Sequence, residues 1–255
     1  CLSVLLYFHN MKSFLVPLSL LVSSVLFSQQ IKNGNDVINA MYKKYDGGKK
    51  WYKHFSFTQD AIFYRNDSVI KTEVWHEVGR FPGYLAIKYD KKDSKDGVIF
   101  AVNKVYGIKD GVAREPRTFI HDLILVGFDI YFLKPELTTH LLDSLGYNLK
   151  SMHVDVFEGR KVYVVGAEGD DDKTQQFWID AERFYLHRIV YKKKENVTDC
   201  IFGDYEKVHG NWVAKKITFK NNGQIQLIEK YYDIKFPKEI NPNVFNPQKF
   251  AETNF

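Results

Sequence analysis

The sequence predicts an α+β fold that is mostly β and antiparallel, and three observations carry that expectation. The chain holds 20 Phe, 16 Tyr and 4 Trp, and with Val and Ile these residues favour strands. Most of its length breaks into short period-two runs separated by turn signals such as Asp110-Gly111, His209-Gly210 and Asn222-Gly223, the pattern of hairpin-connected strands. Helical periodicity is confined to one N-terminal segment and one interruption between two sets of strands.

Residues 175–194, QQFWIDAERFYLHRIVYKKK, pose the problem that this fold must solve. They read as two strands joined by Asp180-Ala181-Glu182-Arg183. On the first arm Phe177 and Ile179 share one face, and Gln176, Trp178 and Asp180 the other. On the second, Leu186, Arg188 and Val190 alternate with Tyr185, His187, Ile189 and Tyr191. Alternation of this kind gives each strand two faces, and here both carry large apolar groups. Both faces therefore need cover.

Taken in order, residues 1–10 read as an upstream extension, followed by Met11-Lys12-Ser13, an apolar run over 14–27, and Ser28-Gln29-Gln30. A basic start, a short apolar stretch and a small residue before a polar segment predict a cleaved signal peptide. An uncleaved anchor is the alternative, although the run is short for a bilayer span. The expected division is an upstream extension and signal peptide over 1–28 and one exported domain over 29–255. A helix over 36–45, capped by Asn35 or Asp36, sets Ile38, Met41, Tyr42 and Tyr45 on one stripe, and Gly47-Gly48 ends it. Strands follow over 51–64, 68–78, 84–89, 98–102 and 105–108. The interruption contains Phe119, Leu123, Leu125 and Phe128. Pro135 then suits the first turn of a second helix, Leu137, Leu141 and Leu145 form an i, i+4, i+8 stripe, and Gly146 ends it. Strands resume over 150–156 and 161–167, then come the hairpin and strands over 197–208, 212–220 and 224–236. The tail, Asn241 to Pro247, is extended and proline-bound.

Composition limits function. The 255 residues are 45% hydrophobic and 26% charged, with a net charge of +5, so a substantial core is available. The signs are mixed, and no basic stripe interleaved with aromatics points to nucleic acid. Cys200 reads as a small buried hydrophobe. Cys1 precedes the expected start at Met11, so no internal disulfide is expected.

The order of these motifs resembles the LolA/LolB-like family of periplasmic lipoprotein carriers. The residues that carry the resemblance are Phe57-Thr58-Gln59 on the first strand, Val74-Trp75 on the second, and Arg80-Phe81-Pro82-Gly83-Tyr84-Leu85 leading into the third. Asp96-Gly97-Val98-Ile99-Phe100 and the tail motif Phe245-Asn246-Pro247 follow. The stretch from Val162 to Ala167, with Gln176–Asp180 and Arg188, is similar to the Bacteroidetes-type branch of exported LolA-like proteins. The resemblance implies a strongly curved antiparallel sheet, an incomplete barrel that wraps helices on its concave face. It implies a non-catalytic periplasmic carrier that holds the acyl chain of a lipid or lipoprotein, with the helical insert as lid. In the family an arginine directly before the proline ties the lid down; here Phe81 takes that place and Arg80 stands one residue earlier, the candidate tie.

On that frame the candidate cavity lining is Trp75, Tyr84, Phe100, Trp178 and Leu186, with Leu137, Leu141 and Leu145 on the lid. Trp178 is placed on the concave side, and Phe177 and Ile179 on the opposite face. Apolar side chains also fill interiors, so each residue has a plain core alternative. No cofactor or metal is expected. Catalytic signatures such as G-x-S-x-G, H-E-x-x-H and C-x-x-C do not occur in the sequence. His76 and Glu77 are adjacent on a strand and point to opposite faces, and Asp170-Asp171-Asp172 lacks calcium-loop spacing. An enzyme would need His121, His140 and an acid in one cleft. A second non-enzymatic reading is an envelope interaction protein that binds a protein partner through a sheet edge or an aromatic patch.

Overall fold

The computed structural model describes residues 31–255; the expected upstream extension and signal peptide fall outside them. Helix α1 (Gly34–Lys44) leads into strands β1 (His54–Arg65), β2 (Ser68–Arg80), β3 (Tyr84–Tyr89), β4 (Gly97–Ala101) and β5 (Lys104–Lys109). Two short edge strands follow, β6 (Val112–Ala113) and β7 (Arg117–Thr118). The insert consists of α2 (Asp122–Gly127), a 3₁₀ turn at Asp129–Tyr131, and α3 (Pro135–Ser144). Strands β8 (Met152–Phe157), β9 (Arg160–Val165), β10 (Gln176–Asp180) and β11 (Leu186–Lys193) come next. The set ends with β12 (Asn196–Val208), β13 (Asn211–Asn221) and β14 (Gln224–Lys235), and the tail makes 3₁₀ turns at Pro242–Phe245 and Phe250–Glu252.

The strands form one antiparallel sheet in the order β6-β5-β4-β3-β2-β1-β14-β13-β12-β11-β10-β9-β8, with β7 beside β5. It is open, with β8 at one edge. Strand β1 lies at its middle, where the first half of the sheet meets the last strand of the second half. Neighbours along the chain pair almost throughout, because two-residue turns join them. Asn66-Asp67, His209-Gly210 and Asn222-Gly223 all have positive φ at both positions, the turn geometry whose twist matches hairpin strands.

Helix α1 starts two residues earlier than the sequence suggests. The side chain of Asn33, rather than Asn35 or Asp36, accepts from the Asp36 N–H at 3.1 Å. Its buried face is Val37, Ile38 and Met41, with Tyr42 and Tyr45 only half-buried. Together with α2, Phe128, Ile130, Tyr131 and Leu142, these residues pack on the inward face of the sheet, against Phe55, Phe57, Phe177, Ile179 and Ile189. The concave core is thus helix against sheet.

The face assignment of the hairpin is inverted relative to expectation. Phe177 and Ile179 are fully buried in the concave core, and Trp178 lies on the outer face. There Trp178 meets the Phe157 ring edge-on at 5.3 Å and the Arg188 guanidinium at 4.9 Å, and its Nε1–H donates to Gln176 Oε1 at 2.7 Å. Arg188 is held over the indole by a two-pronged ion pair to Asp199, at 2.8 and 3.0 Å. Periodicity shows which residues share a face but not which face is inside. Leu186 also departs from simple alternation. A register shift between Trp178 and Ile179 sets Ile179 opposite Leu186. That bulge moves Leu186 from the face of Arg188 to the core side.

The outer face of β2–β5 is covered by the chain's own end. Val244, Phe245 and Phe250 pack on Val78, Ala86, Ile99 and Ile108 as a second apolar cluster. Its polar centre is Lys88, which is fully buried. Lys88 Nζ donates to the carbonyls of Ser94, Phe250 and Thr253 at 2.8, 3.0 and 2.7 Å and lies 4.6 Å from the centre of the Phe250 ring. Gly97 makes room for this tail, since a Cβ there would stand 2.6 Å from Phe250 and 2.1 Å from the Ile87 carbonyl.

Replacing Lys88 by Met keeps the volume but leaves those three carbonyls without their ammonium. Buried hydrogen bonds to a charged donor contribute about 1.5–3 kcal/mol each. Lys88→Met should therefore lower stability by about 3 kcal/mol or more, read as a reduced urea midpoint, and limited proteolysis should release the tail first.

Candidate functional site

The cover on the concave face is incomplete. Two adjoining cavities lie between the insert and β1–β5, of about 280 Å³ and 240 Å³. Phe100, His121 and Ile124 line both, so they form the partition. The larger cavity lies between the β4–β5 turn and α3, with Leu133, Leu137, Leu141, Phe119 and Ile120 on its walls. The smaller is floored by β1, β2, β3 and β14, through Phe57, Trp75, Leu85, Ile87, Leu227 and Tyr231. Both linings are predominantly apolar, as small-molecule sites generally are.

Helix α3 explains how the larger cavity stays uncovered. Pro135 sits in its first turn, and only Thr138 and Leu142 are buried. The leucine stripe read from the sequence is a different face. Leu137 is 46% exposed and Leu141 half-buried, yet both line the cavity. Leu145, at the end of α3, packs on the concave core and lines neither cavity.

Among the contacts that tie the insert to the sheet, which include the Tyr131 O–H donated to the Phe184 carbonyl at 3.1 Å, two lie at the β2–β3 connection. The Asp129 carboxylate accepts from the Gly83 backbone N–H at 2.9 Å, and Gly83, at φ 93°, adopts a conformation that most side chains disfavour. Phe81, fully buried, stacks on Phe128 at 4.5 Å with the rings 15° from parallel. The position expected for a tying arginine is thus an aromatic contact. Arg80 does not act as the tie. It lies on the outer face, stacked on Tyr84 at 4.2 Å and on Phe245 at 5.0 Å. The one-residue offset turns its side chain away from the insert. Burial pushes the Asp129 carboxyl up to about 7, against the smaller pull of the Gly83 N–H.

Of the residues singled out in the sequence, the structure brings Trp75, Phe100, Leu137 and Leu141 to the cavity walls. Leu186 is on the concave side, but the space beside it is only about 20 Å³, a filled core. Tyr84 and Trp178 are on the outer face. Tyr84 packs on Phe245 at 5.4 Å as part of the tail cluster. Sequence reasoning missed Gln59, Glu77 and Glu229. Alternation from Trp75 places Glu77 on the same face, and pairing sets Glu77 opposite Phe57, Trp75 opposite Gln59, and Glu229 opposite Ala61. Burial and the mutual charge of the pair push the Glu77 carboxyl well up, and burial raises Glu229. His76, on the other face, reaches Thr58 Oγ1 at 3.2 Å.

His121 and His140 do not meet in one cleft. His121 lies between the rings of Phe100 and Phe119, at 5.1 and 5.3 Å, and burial with the Lys193 charge pulls its pKa down to about 4. His140 is exposed on α3 and lines neither cavity. Asp171 accepts from the Lys173 and Thr174 N–H groups at 2.8 and 3.0 Å, a self-contained turn.

Neither a family model nor a curated protein sequence matches this chain. Solved structures do. A domain provisionally assigned to outer membrane lipoprotein sorting, from Vibrio parahaemolyticus, is 12% identical, with a TM-score of 0.58 over 86% of this chain and 100% of its own. A LolA superfamily protein from Nitrosomonas europaea is 9% identical, with a TM-score of 0.55 over 82% and 97%. A DUF1329 family protein from Desulfovibrio piger is 14% identical, with a TM-score of 0.55 over 84% and 95%. The fold is LolA-like.

The Asp129 tie has a pH signature. Its folded pKa of about 7 lies above the unfolded value near 4, so unfolding releases a proton between them. Its contribution to stability is most favourable below pH 4, falls as pH rises to about 7 and is flat above. Asp129→Asn keeps an acceptor oxygen for Gly83 but cannot ionise. Relative to wild type the variant should gain up to about 1.4 kcal/mol per pH unit across that window, measured by denaturant titrations at pH 5 and pH 8. Asp129→Ala should instead speed hydrogen exchange across the insert at both pH values.

Proposed function

We propose that this LolA-like chain is an exported, non-catalytic carrier that holds an acyl chain in the paired cavities beneath its helical insert. The observation that carries this reading is the half-exposed leucine face of α3. Leu137 and Leu141 line a cavity that the chain itself leaves unfilled. An apolar lining without a protein partner favours an apolar occupant, at about 0.8 kcal/mol per buried CH₂. The partition of Phe100, His121 and Ile124 lets one chain extend from the larger cavity into the smaller if the Phe100 ring turns aside. The likeness to a lipoprotein-sorting domain and a LolA superfamily protein supports a carrier role. Export rests on the signal-peptide pattern over 11–28, and lipoprotein or free lipid is the cargo class. Among the described residues no helix is long and apolar enough to cross a membrane.

The competing reading, a partner-binding surface, has less to support it. The outer aromatics that could have formed a patch are occupied, Trp178 by Arg188 and Phe157, and Tyr84 by Arg80 and Phe245.

Native mass spectrometry of protein purified from its own host should show a bound lipid-sized mass, and protein with no bound lipid would count against the reading. Leu141→Asp puts a charge on the cavity wall at a half-buried, tolerant position. It should weaken binding of a fluorescent fatty acyl probe at least tenfold, the equivalent of about 1.4 kcal/mol, with little change in thermal stability.

A further inference from the structure

The smaller cavity is apolar except for one cluster that an acyl chain does not use. Glu77 and Glu229 both line it and are 6% and 8% exposed. Between their pairing partners on β1, Phe57 and Ala61, Gln59 stands on the same face. Tyr231 O–H donates to Glu229 Oε2 at 3.1 Å. Glu77 has no side-chain hydrogen bond, and neither carboxylate takes part in an ion pair, among the described residues. Gln59 is the independent clue. It is fully buried, and both its amide nitrogen and its amide oxygen lack a partner. It lies close enough to Glu229 to draw that carboxyl down against the effect of burial, yet closes no well-formed hydrogen bond to it.

A buried carboxylate without a counter-charge is costly, which pushes both carboxyls toward the neutral acid in the free protein, and an amide open at both ends adds about 1–3 kcal/mol for each unpaired group. The chain supplies no remedy from its other cavity groups. His121 is held neutral by burial, and Tyr89, beside Glu77, is kept a neutral phenol by burial and by that carboxyl, so neither offers a counter-charge. A hydrocarbon would bury these groups more deeply without satisfying any of them. A primary ammonium carries one positive charge and three N–H donors, enough for both carboxylates and the Gln59 oxygen through charge-assisted bonds.

We propose that Glu77, Glu229 and Gln59 form a receptor for a protonated primary amine, so that the ligand of this cavity is an amphiphile with an ammonium head and an apolar chain. The chain-binding half rests on the carrier reading; the head-group half rests on the cluster alone.

Titration calorimetry with decylamine, decyltrimethylammonium, decanol and decanoate, all below their aggregation thresholds, separates the two. Decylamine is protonated at pH 7, as lysine is. It should bind at least tenfold tighter than decanol, decanoate should bind weaker than either, and decyltrimethylammonium, which has no N–H donor, should fall well short of decylamine. In Glu77→Gln/Glu229→Gln the preference for decylamine over decanol should vanish; should that pair not fold, Glu77→Gln alone should reduce the preference. Decylamine no tighter than decanol in wild type, or a preference that survives the double substitution, would overturn the receptor, as would equal binding of decyltrimethylammonium. Failure of decanol and decylamine alike would overturn both readings. Decylamine binding without decanol would sink only the chain-binding one and support the receptor.

Discussion

A sheet that is apolar on both faces has to be covered on both, and the rest of this structure depends on that requirement. Strand β1 is at its centre, with Phe55, Phe57 and Ala61 buried on the inner face. The two covers are different in kind. On the inside, α1 and the insert pack helix on sheet. On the outside of β2–β5, the last residues of the chain lie flat, and Lys88 binds them through the Phe250 and Thr253 carbonyls while also holding the Ser94 carbonyl of the β3–β4 turn. A lysine there adds donors to those of the tail's own 3₁₀ turns, such as the Thr253 N–H on the Phe250 carbonyl, which helps meet the condition for burying irregular backbone at all. The outer cover is closed, while the inner one is left open at the cavities.

The inner cover is open because of how little helix it contains. Helix α2 is six residues long, all of them buried, and α3 buries only Thr138 and Leu142. Elements this short cannot fill the hollow of a sheet that spans β1–β5. The insert is attached where the chain needs it, by Asp129 to Gly83 and by Phe128 on Phe81. One of these contacts is a single hydrogen bond whose acceptor is poorly ionised near neutral pH. The insert is also the roof of both cavities, and Tyr131, bonded to the Phe184 carbonyl, anchors its other side.

The fold was legible in the sequence because its signals are local. Period-two runs, Asn-Asp and Asn-Gly turns and the proline at the start of α3 all act within a few residues. What was not legible is which face of each strand points inward. Phe177 and Trp178 are equally apolar neighbours, and only the three-dimensional closure of the sheet puts Phe177 in the core and gives Trp178 to Arg188. The same ambiguity misplaced Tyr84, whose outer position depends on a tail some 160 residues later. Leu186 came out on the inner side only because a bulge, invisible to simple alternation, shifts it by one. Arg80 is the mirror case. An offset of one residue was visible in the sequence, and the structure shows its consequence, a tie remade from Phe81 and Asp129.

Glu77 and Glu229 are the residues that a purely apolar cavity does not explain. The chain is basic as a whole, with a net charge of +5, so long-range electrostatics would not have required acid in the interior. Alternation puts Glu77 beside Trp75 on the inner face, and no turn or strand propensity prefers glutamate there, since it is depleted in strands. If the two carboxyls served only to fill space, Leu or Gln would do so at lower desolvation cost. Their position matters more than their number. They lie on β2 and β14, the two strands that flank β1, with the unpaired Gln59 amide between them. Buried, unsatisfied polar groups cluster where a structure is incomplete without something it binds. Here Glu77 and Glu229 line a cavity whose other walls are largely apolar, and Gln59 stands on the same face of β1 beside them, the arrangement on which the proposed amine receptor rests.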